Sequence, residues 1–209
     1  MEEVLGSFWN ELDLLILTHP DLDHVGGTQD IIDNFKPKTL IESTENTYKS
    51  YITSTKSMVF KINTSSQIII NKDLNLETLS PVSQMPGSDN HKSIVNRLIY
   101  GNFEFIFMAD ADVEVERSLV SQGVFDKKTI KILKVGHHGS DTSSSEIFLK
   151  KLKPEYCVIS VGKDNKYKHP TAETLLKLEK YCKNIYRTDK NGTISFKVSE
   201  KTMVIKKEK

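Results

Sequence analysis

The sequence predicts an α/β protein: two β-sheets with helices packed outside them. Three observations carry that expectation. Short β-type runs alternate with amphipathic helical stretches along the chain, without an internal repeat or low-complexity linker. The run Leu14-Leu15-Ile16-Leu17, flanked by Leu12 and Thr18, is continuously apolar, as suits a strand buried on both faces. Pro37, Pro81 and Pro154 all fall in connections between predicted elements. A chain of 209 residues buries roughly 70% of its unfolded surface, so residues 1–209 are read as a single domain.

The elements follow in order. Residues 2–10 suit one or two helical turns leading into a strand over 12–18, and 19–27 form a loop. Thr28 is placed to cap a helix carrying Ile31, Ile32 and Phe35. A strand is expected over 38–42 and a helix over 44–55. The middle is β-rich, with strands over 66–70, 74–79, 93–100 and 103–108, and Gly101-Asn102 between the last two is a two-residue hairpin turn. Then come a helix (113–121), strand (129–135), helix (143–152), strand (156–161) and helix (171–182). Three short strands, 184–187, 193–198 and 202–206, finish the chain.

Composition narrows the class. Hydrophobic residues at 37% and charged residues at 27% argue against a disordered chain and a membrane-embedded one. No apolar run approaches the ~18 residues of a spanning helix. Met1-Glu2-Glu3-Val4 lacks the basic and apolar regions of a signal peptide, so a cytoplasmic location is expected. Cys157 and Cys182 form no C-x-x-C pair, and reduced thiols are the expectation. A net charge of +1 neither demands nor excludes nucleic acid, and the basic tail 201–209 reads as a solvated end.

The chemistry lies with the six histidines. His19-Pro20-Asp21-Leu22-Asp23-His24-Val25-Gly26-Gly27 places His19, Asp21, Asp23 and His24 on one loop after a buried strand, from which they can converge. Mixed nitrogen and carboxylate donors suit zinc, manganese or iron better than calcium. Asp110 ends another apolar strand, where a carboxylate can bridge two cations; Asp112 is better placed to cap the following helix. His137-His138-Gly139-Ser140 follows the strand over 129–135 and offers a further ligand, and His169-Pro170 precedes a helix capped by Thr171. His169 is placed to contact substrate or donate a proton. The Gly139-Ser140 backbone and the lysines Lys163, Lys166 and Lys168 lean toward a phosphate-bearing substrate.

These residues resemble the metallo-β-lactamase fold and, more narrowly, the soluble hydrolase domain of ComEC-type competence (DNA-internalisation) proteins. The matching segments are His19 to Gly27, Asn90 to Ser93, Ala109-Asp110-Ala111-Asp112 with Glu116, and Lys134 to Ser140. They continue with Val161-Gly162, Asn165, His169-Pro170, Tyr186 to Asp189 and Gly192 to Ile194. The resemblance implies an αββα sandwich with a dinuclear site on one edge. On this chain His19 and Asp21 would hold one ion and Asp23 and His24 the other. Asp110 would bridge them, and either His137 or His138 would add to the second; His91 is open between an extra ligand and a loop histidine. Asp23 and His169 would be catalytic, and Ser140, Asn165, Lys168 and His169 would meet substrate.

The implied cofactors are two divalent ions, zinc first, with manganese and iron as alternatives. The implied reaction is metal-dependent hydrolysis by an activated water, of a phosphodiester or nucleic acid. A membrane competence channel and a second copy of the chain are the expected partners. Three departures stand out: the family's first N-terminal strands are lacking, and Ala109 and Lys168 replace family glycines. Ala109 is tolerable if its backbone needs no positive φ. The missing strands motivate a competing reading, a catalytically impaired remnant or interaction module. An iron-dependent redox member of the fold is a third and weaker one.

Overall fold

The strand β1 (Leu14–Ile16) enters a parallel sheet of order β1-β2-β3, with β2 at Thr39–Ser43 and β3 at Met58–Ile62. The computed structural model describes residues 11–48, 50–81, 87–126 and 128–209; the helical turns expected over 2–10 lie outside them. Alternation along β1 and β2 explains why this sheet is apolar on both faces. Leu15, Leu17 and Leu40 pack with Ile32 of the helix over Thr28–Phe35, while Leu14, Ile16 and Ile41 pack with Ile62, Ile68 and Ile94.

The second sheet has seven strands in the order β10-β9-β8-β7-β6-β5-β4. These are β4 (Gln67–Asn71), β5 (Leu74–Ser80), β6 (Val95–Tyr100), β7 (Phe103–Phe107), β8 (Ile130–Lys134), β9 (Tyr156–Ile159) and β10 (Asn184–Arg187). The run β4 to β7 is antiparallel, with Tyr100 paired to Phe103 across the expected Gly101-Asn102 turn; β7 to β10 is parallel. The largest core covers this sheet's outer face, where Val95, Ile106, Leu133 and Ile159 meet Val115, Leu119, Phe148, Leu149 and Leu178 of three helices. Helix, sheet, sheet and helix layers therefore stack as the sequence predicts. The last hairpin, β11 (Ile194–Val198) with β12 (Met203–Lys207), lays Phe196 edge-on against Phe105 and Tyr156.

In chain order the helices are α1 (Leu22–Val25), α2 (Thr28–Phe35), α3 (Val113–Ser121), α4 (Glu146–Leu152), α5 (Ala172–Tyr181) and α6 (Thr188–Asn191). Asp112 caps α3 by accepting from the Glu114 and Val115 amides, and Thr171 caps α5 by accepting from Thr174. Thr28 is the first residue of α2, and Gly27 stands at the cap position. The helix expected over 44–55 does not form; its described residues run through turns and irregular backbone. Side-chain bonding wins there: the Gln29 carbonyl accepts from the Thr53 amide and hydroxyl and from the Ser54 amide. Strand β3 has no alternation to mark it in the sequence: Met58, Val59 and Phe60 are successive apolar residues, and all three are exposed.

The expectation for the cysteines is corrected. Cys157 in β9 and Cys182 at the end of α5 are joined in a disulfide, with Cα atoms 6.2 Å apart. Their separation of 25 residues hides the contact, which arises only when α5 folds back over the sheet.

Ala109 is also corrected: its φ is +47°, the left-handed region in which a Cβ costs about 1–2 kcal/mol. Lys168, the other position where the resembling family carries glycine, has φ +56°. Ala109→Gly is expected to stabilise the protein by about 0.5–1 kcal/mol, because relief of that strain exceeds the added unfolded-state entropy. A urea melt checks it, and an unchanged or lower midpoint would refute the strain.

Candidate metal centre

Three turns deliver the ligating side chains. His19 follows β1, and the single helical turn α1 carries Asp23 and His24 back beside it, with imidazole centroids 4.1 Å apart. Asp110 follows β7. His137 and His138 follow β8 in a tight turn, Gly136–Gly139, where both have positive φ, +45° and +53°. Two successive residues in that region hold the rings on the inner side of the turn at a cost in backbone strain.

Asp110 sits at the centre, almost fully buried. Its Oδ1 lies 3.3 Å from His24 Nε2; its Oδ2 lies 3.4 Å from His137 Nε2 and 3.8 Å from His19 Nε2. Asp21 Oδ2 approaches the same His19 nitrogen at 3.7 Å. On the other side, Asp23 Oδ2 is 3.4 Å from His138 Nε2 and 3.9 Å from His24 Nε2. Two donor groups result, His19/His24/Asp110 and Asp23/His24/His138, each with its ligand atoms within 4.8 Å of one another. The pair left unresolved in the sequence separates here: His138 faces Asp23, and His137 faces the Asp110 oxygen nearest His19.

Outer partners orient the rings through their Nδ1 atoms. His138 Nδ1 donates to the Ser160 carbonyl at 2.7 Å, which turns its Nε2 toward Asp23. His19 Nδ1 meets Thr18 Oγ1 at 3.1 Å and His137 Nδ1 meets Thr142 Oγ1 at 3.0 Å. Nε2 of His19 and of His138 is buried without a hydrogen-bond partner, a costly arrangement for a polar atom unless something else meets it.

Electrostatics points the same way. Burial, then the His24 imidazole, lowers His19 to about 4, so it is neutral at neutral pH. Burial pushes the Asp110 carboxyl up, but its bond to His24 and the charges of His24, His137 and His19 outweigh this and hold it at about 2. Burial and then the neighbouring Asp23, Asp110 and Asp89 carboxylates raise Asp21. A neutral His19, an ionised central carboxylate and crowded acidic groups beside further imidazoles fit a borderline divalent cation such as zinc, manganese or iron.

The remaining candidates divide. His169 comes to the rim: its ring is 5.9 Å from that of His137, and its Nδ1 is buried without a partner. Burial, then His137 and His138, lowers its pKa. Asn165 positions that residue, donating to the His169 carbonyl at 2.7 Å and accepting from its amide at 2.9 Å. Lys168 is exposed beside it. Ser140 bonds within its own turn: its amide donates to the His137 carbonyl, and its hydroxyl accepts from Thr142 and donates to Asp141. His91 Nδ1 lies 2.8 Å from Asp112 Oδ2, and His91 belongs to neither donor group.

Thr18, Thr142 and Ser160 have no sequence signal for their supporting role, since each is set by a neighbouring turn. Glu116 is legible only as part of the family segment. Its carboxylate accepts from the Ser144 and Ser145 amides at 2.5 and 2.7 Å, tying α3 to the start of α4. Burial raises it from 4.5 to about 7. A folded-state value above the unfolded one gives stability that is complete below pH 4.5 and lost as pH rises through 7, on the order of 3 kcal/mol. Glu116→Gln should remove that slope: thermal melts of metal-free protein from pH 5 to 8 should show the gap between native and variant shrinking. Parallel curves would sink the assignment.

Sequence comparison agrees with the fold. The metallo-beta-lactamase superfamily profile matches residues 2–163. ComE operon protein 3 of Bacillus subtilis is 32% identical over 193 residues, 90% of this chain and 25% of that protein. Competence protein ComA of Neisseria gonorrhoeae is 31% identical over 185 residues, 88% of this chain and 25% of that protein. The chain thus spans about a quarter of the length of these relatives. Among solved structures, the metallo hydrolase Igni18 of Ignicoccus hospitalis superposes with a TM-score of 0.54 at 15% identity, covering 100% of this chain and 84% of that one. With its layered sheets, its converging histidines and aspartates and the profile match over residues 2–163, the chain belongs to the metallo-beta-lactamase superfamily.

Proposed function

We propose that the protein is a metal-dependent hydrolase of phosphodiesters, with single-stranded nucleic acid as its polymer substrate. The observation that carries this is the central Asp110 carboxylate, one oxygen toward His24 and the other toward His19 and His137. His19, Asp21 and His137 would hold one ion and Asp23, His24 and His138 the other, with Asp110 shared. Two such ions lower the pKa of a bound water and neutralise charge on the attacked and leaving oxygens.

The chain's own residues supply the rest. A neutral His169 at the rim offers one ring N–H to a substrate oxygen, and the clamp from Asn165 fixes where that ring sits. Lys163, Lys166 and Lys168 are exposed on the same loop and favour an anionic substrate. The relatives' names, a competence protein and a competence-operon protein, favour nucleic acid over other phosphodiesters.

The test is hydrolysis of bis-p-nitrophenyl phosphate and of single-stranded DNA by protein loaded with zinc or manganese. Cleavage of both, abolished by a chelator and lowered at least about 100-fold by His138→Ala, is expected for loss of a ligand. A folded, metal-loaded protein that cleaves neither would overturn the reading and favour a non-catalytic module.

A further inference from the structure

The loop ahead of His169 carries a feature that metal binding does not use. Tyr167 is 65% exposed, and its ring lies nearly parallel to that of His169, at 17° with centroids 5.9 Å apart. His169 in turn touches His137, 5.9 Å away at 67°. Tyr167 is therefore the outer member of a short aromatic ladder that begins at the candidate metal centre.

The ladder is rigidly mounted. Asn165 bonds the Gly162 carbonyl and both backbone groups of His169, and the Lys168 amide donates to the Asn165 carbonyl. Positive φ at Asp164 and Lys168 bends the chain on either side of the tyrosine, so the ring is presented outward. On that fixed backbone an exposed tyrosine has only two side-chain torsions, so little entropy is lost when a flat group stacks on it.

The surroundings fit a nucleotide. Lys163, Lys166 and Lys168 are exposed around the ring, against a single acid on the loop, Asp164. Lys166 Nζ rests 4.8 Å from the Tyr167 centroid. On a long flexible stem, that ammonium can move aside for a base and meet the phosphate attached to it. Aromatic stacking with flanking lysines is how single strands are gripped without reading sequence.

We propose that Tyr167 is a base-stacking residue that seats the nucleobase beside the phosphodiester being cleaved. It confers a preference for nucleic acid over other phosphodiesters, and it rests on the phosphodiesterase reading. Tyr167 takes no part in the chemical step, and it acts on whatever base is present.

Two otherwise identical single strands test this, an oligothymidylate and an abasic tetrahydrofuran strand of the same length. Binding is read by fluorescence anisotropy in chelator, and cleavage in zinc or manganese. Tyr167→Ala should weaken binding of the oligothymidylate about tenfold, raise its KM similarly, and leave the abasic strand unchanged. Tyr167→Trp should keep the native preference. Equal loss on both strands would overturn the proposal, since Tyr167 would then merely hold His169. Unchanged binding of the oligothymidylate by Tyr167→Ala would overturn it as well. Because the binding arm needs no turnover, absent cleavage with a base-dependent binding loss would refute the hydrolase reading alone.

Discussion

Replacing Asp110 by alanine is expected to empty both halves of the candidate metal centre. The native chain should carry close to two equivalents of zinc, manganese or iron by elemental analysis, and Asp110→Ala less than one. The asymmetry comes from position. Asp110 approaches His19, His24 and His137, whereas the side chain of Asp21 is 44% exposed and that of Asp23 is 62% exposed. Without the shared carboxylate, His19, His24 and His137 lose the buried anion that all three approach, so a cation there loses its buried counter-charge. Phosphodiesterase activity should fall by about 10³-fold or more, since an emptied site supplies no activated water. Asp112→Ala is the control two residues away. It removes the α3 cap and the contact with His91, costing about 1 kcal/mol, but should keep the metal. Equal metal in all three proteins would disprove the centre.

How far the sequence reveals this site depends on how local each part is. His19, Asp21, Asp23 and His24 are visible because their spacing lies within one turn after one strand. Asp110 is visible because it ends an apolar strand. The division of labour between His137 and His138 is not, because it depends on two positive-φ residues and on the Ser160 carbonyl, reached only when β9 lies beside β8. The layers of the fold follow from alternation, as in Leu40 and Ile41 facing opposite cores. Segment 44–55 fails the same treatment because Gln29 on a neighbouring helix decides its backbone. The cysteine pair fails for a related reason: proximity across α5 and β9 is tertiary, and no spacing rule encodes it. What is non-local in the contacts is hidden in the sequence.

Gly139→Ala is the substitution expected to couple stability and activity most sharply. Gly139 has φ +84°, and a Cβ built there would fall 2.5 Å from the Cβ of Pro170. That contact is where the turn carrying His137 and His138 presses on the segment carrying His169. The Thr171 amide also donates to the Gly139 carbonyl at 3.0 Å, and Thr174 Oγ1 donates to the Ser140 carbonyl at 3.0 Å. A methyl group strains the backbone by about 1–2 kcal/mol and pushes the two segments apart at a further cost of about 1–3 kcal/mol. The urea midpoint should drop accordingly. Displacement by a fraction of an ångström should also pull His169 from the metal-centre rim, lowering kcat more than metal content. Gly162→Ala makes the comparison clean: its added Cβ meets nothing within 4 Å and its φ is ordinary, so it should change stability by under about 0.5 kcal/mol. If Gly139→Ala lost stability while keeping native kcat, the close contact would be a packing feature and His169 would act independently of the histidine turn. If kcat fell with the metal retained, the spacing of the two segments would itself be part of the catalytic geometry.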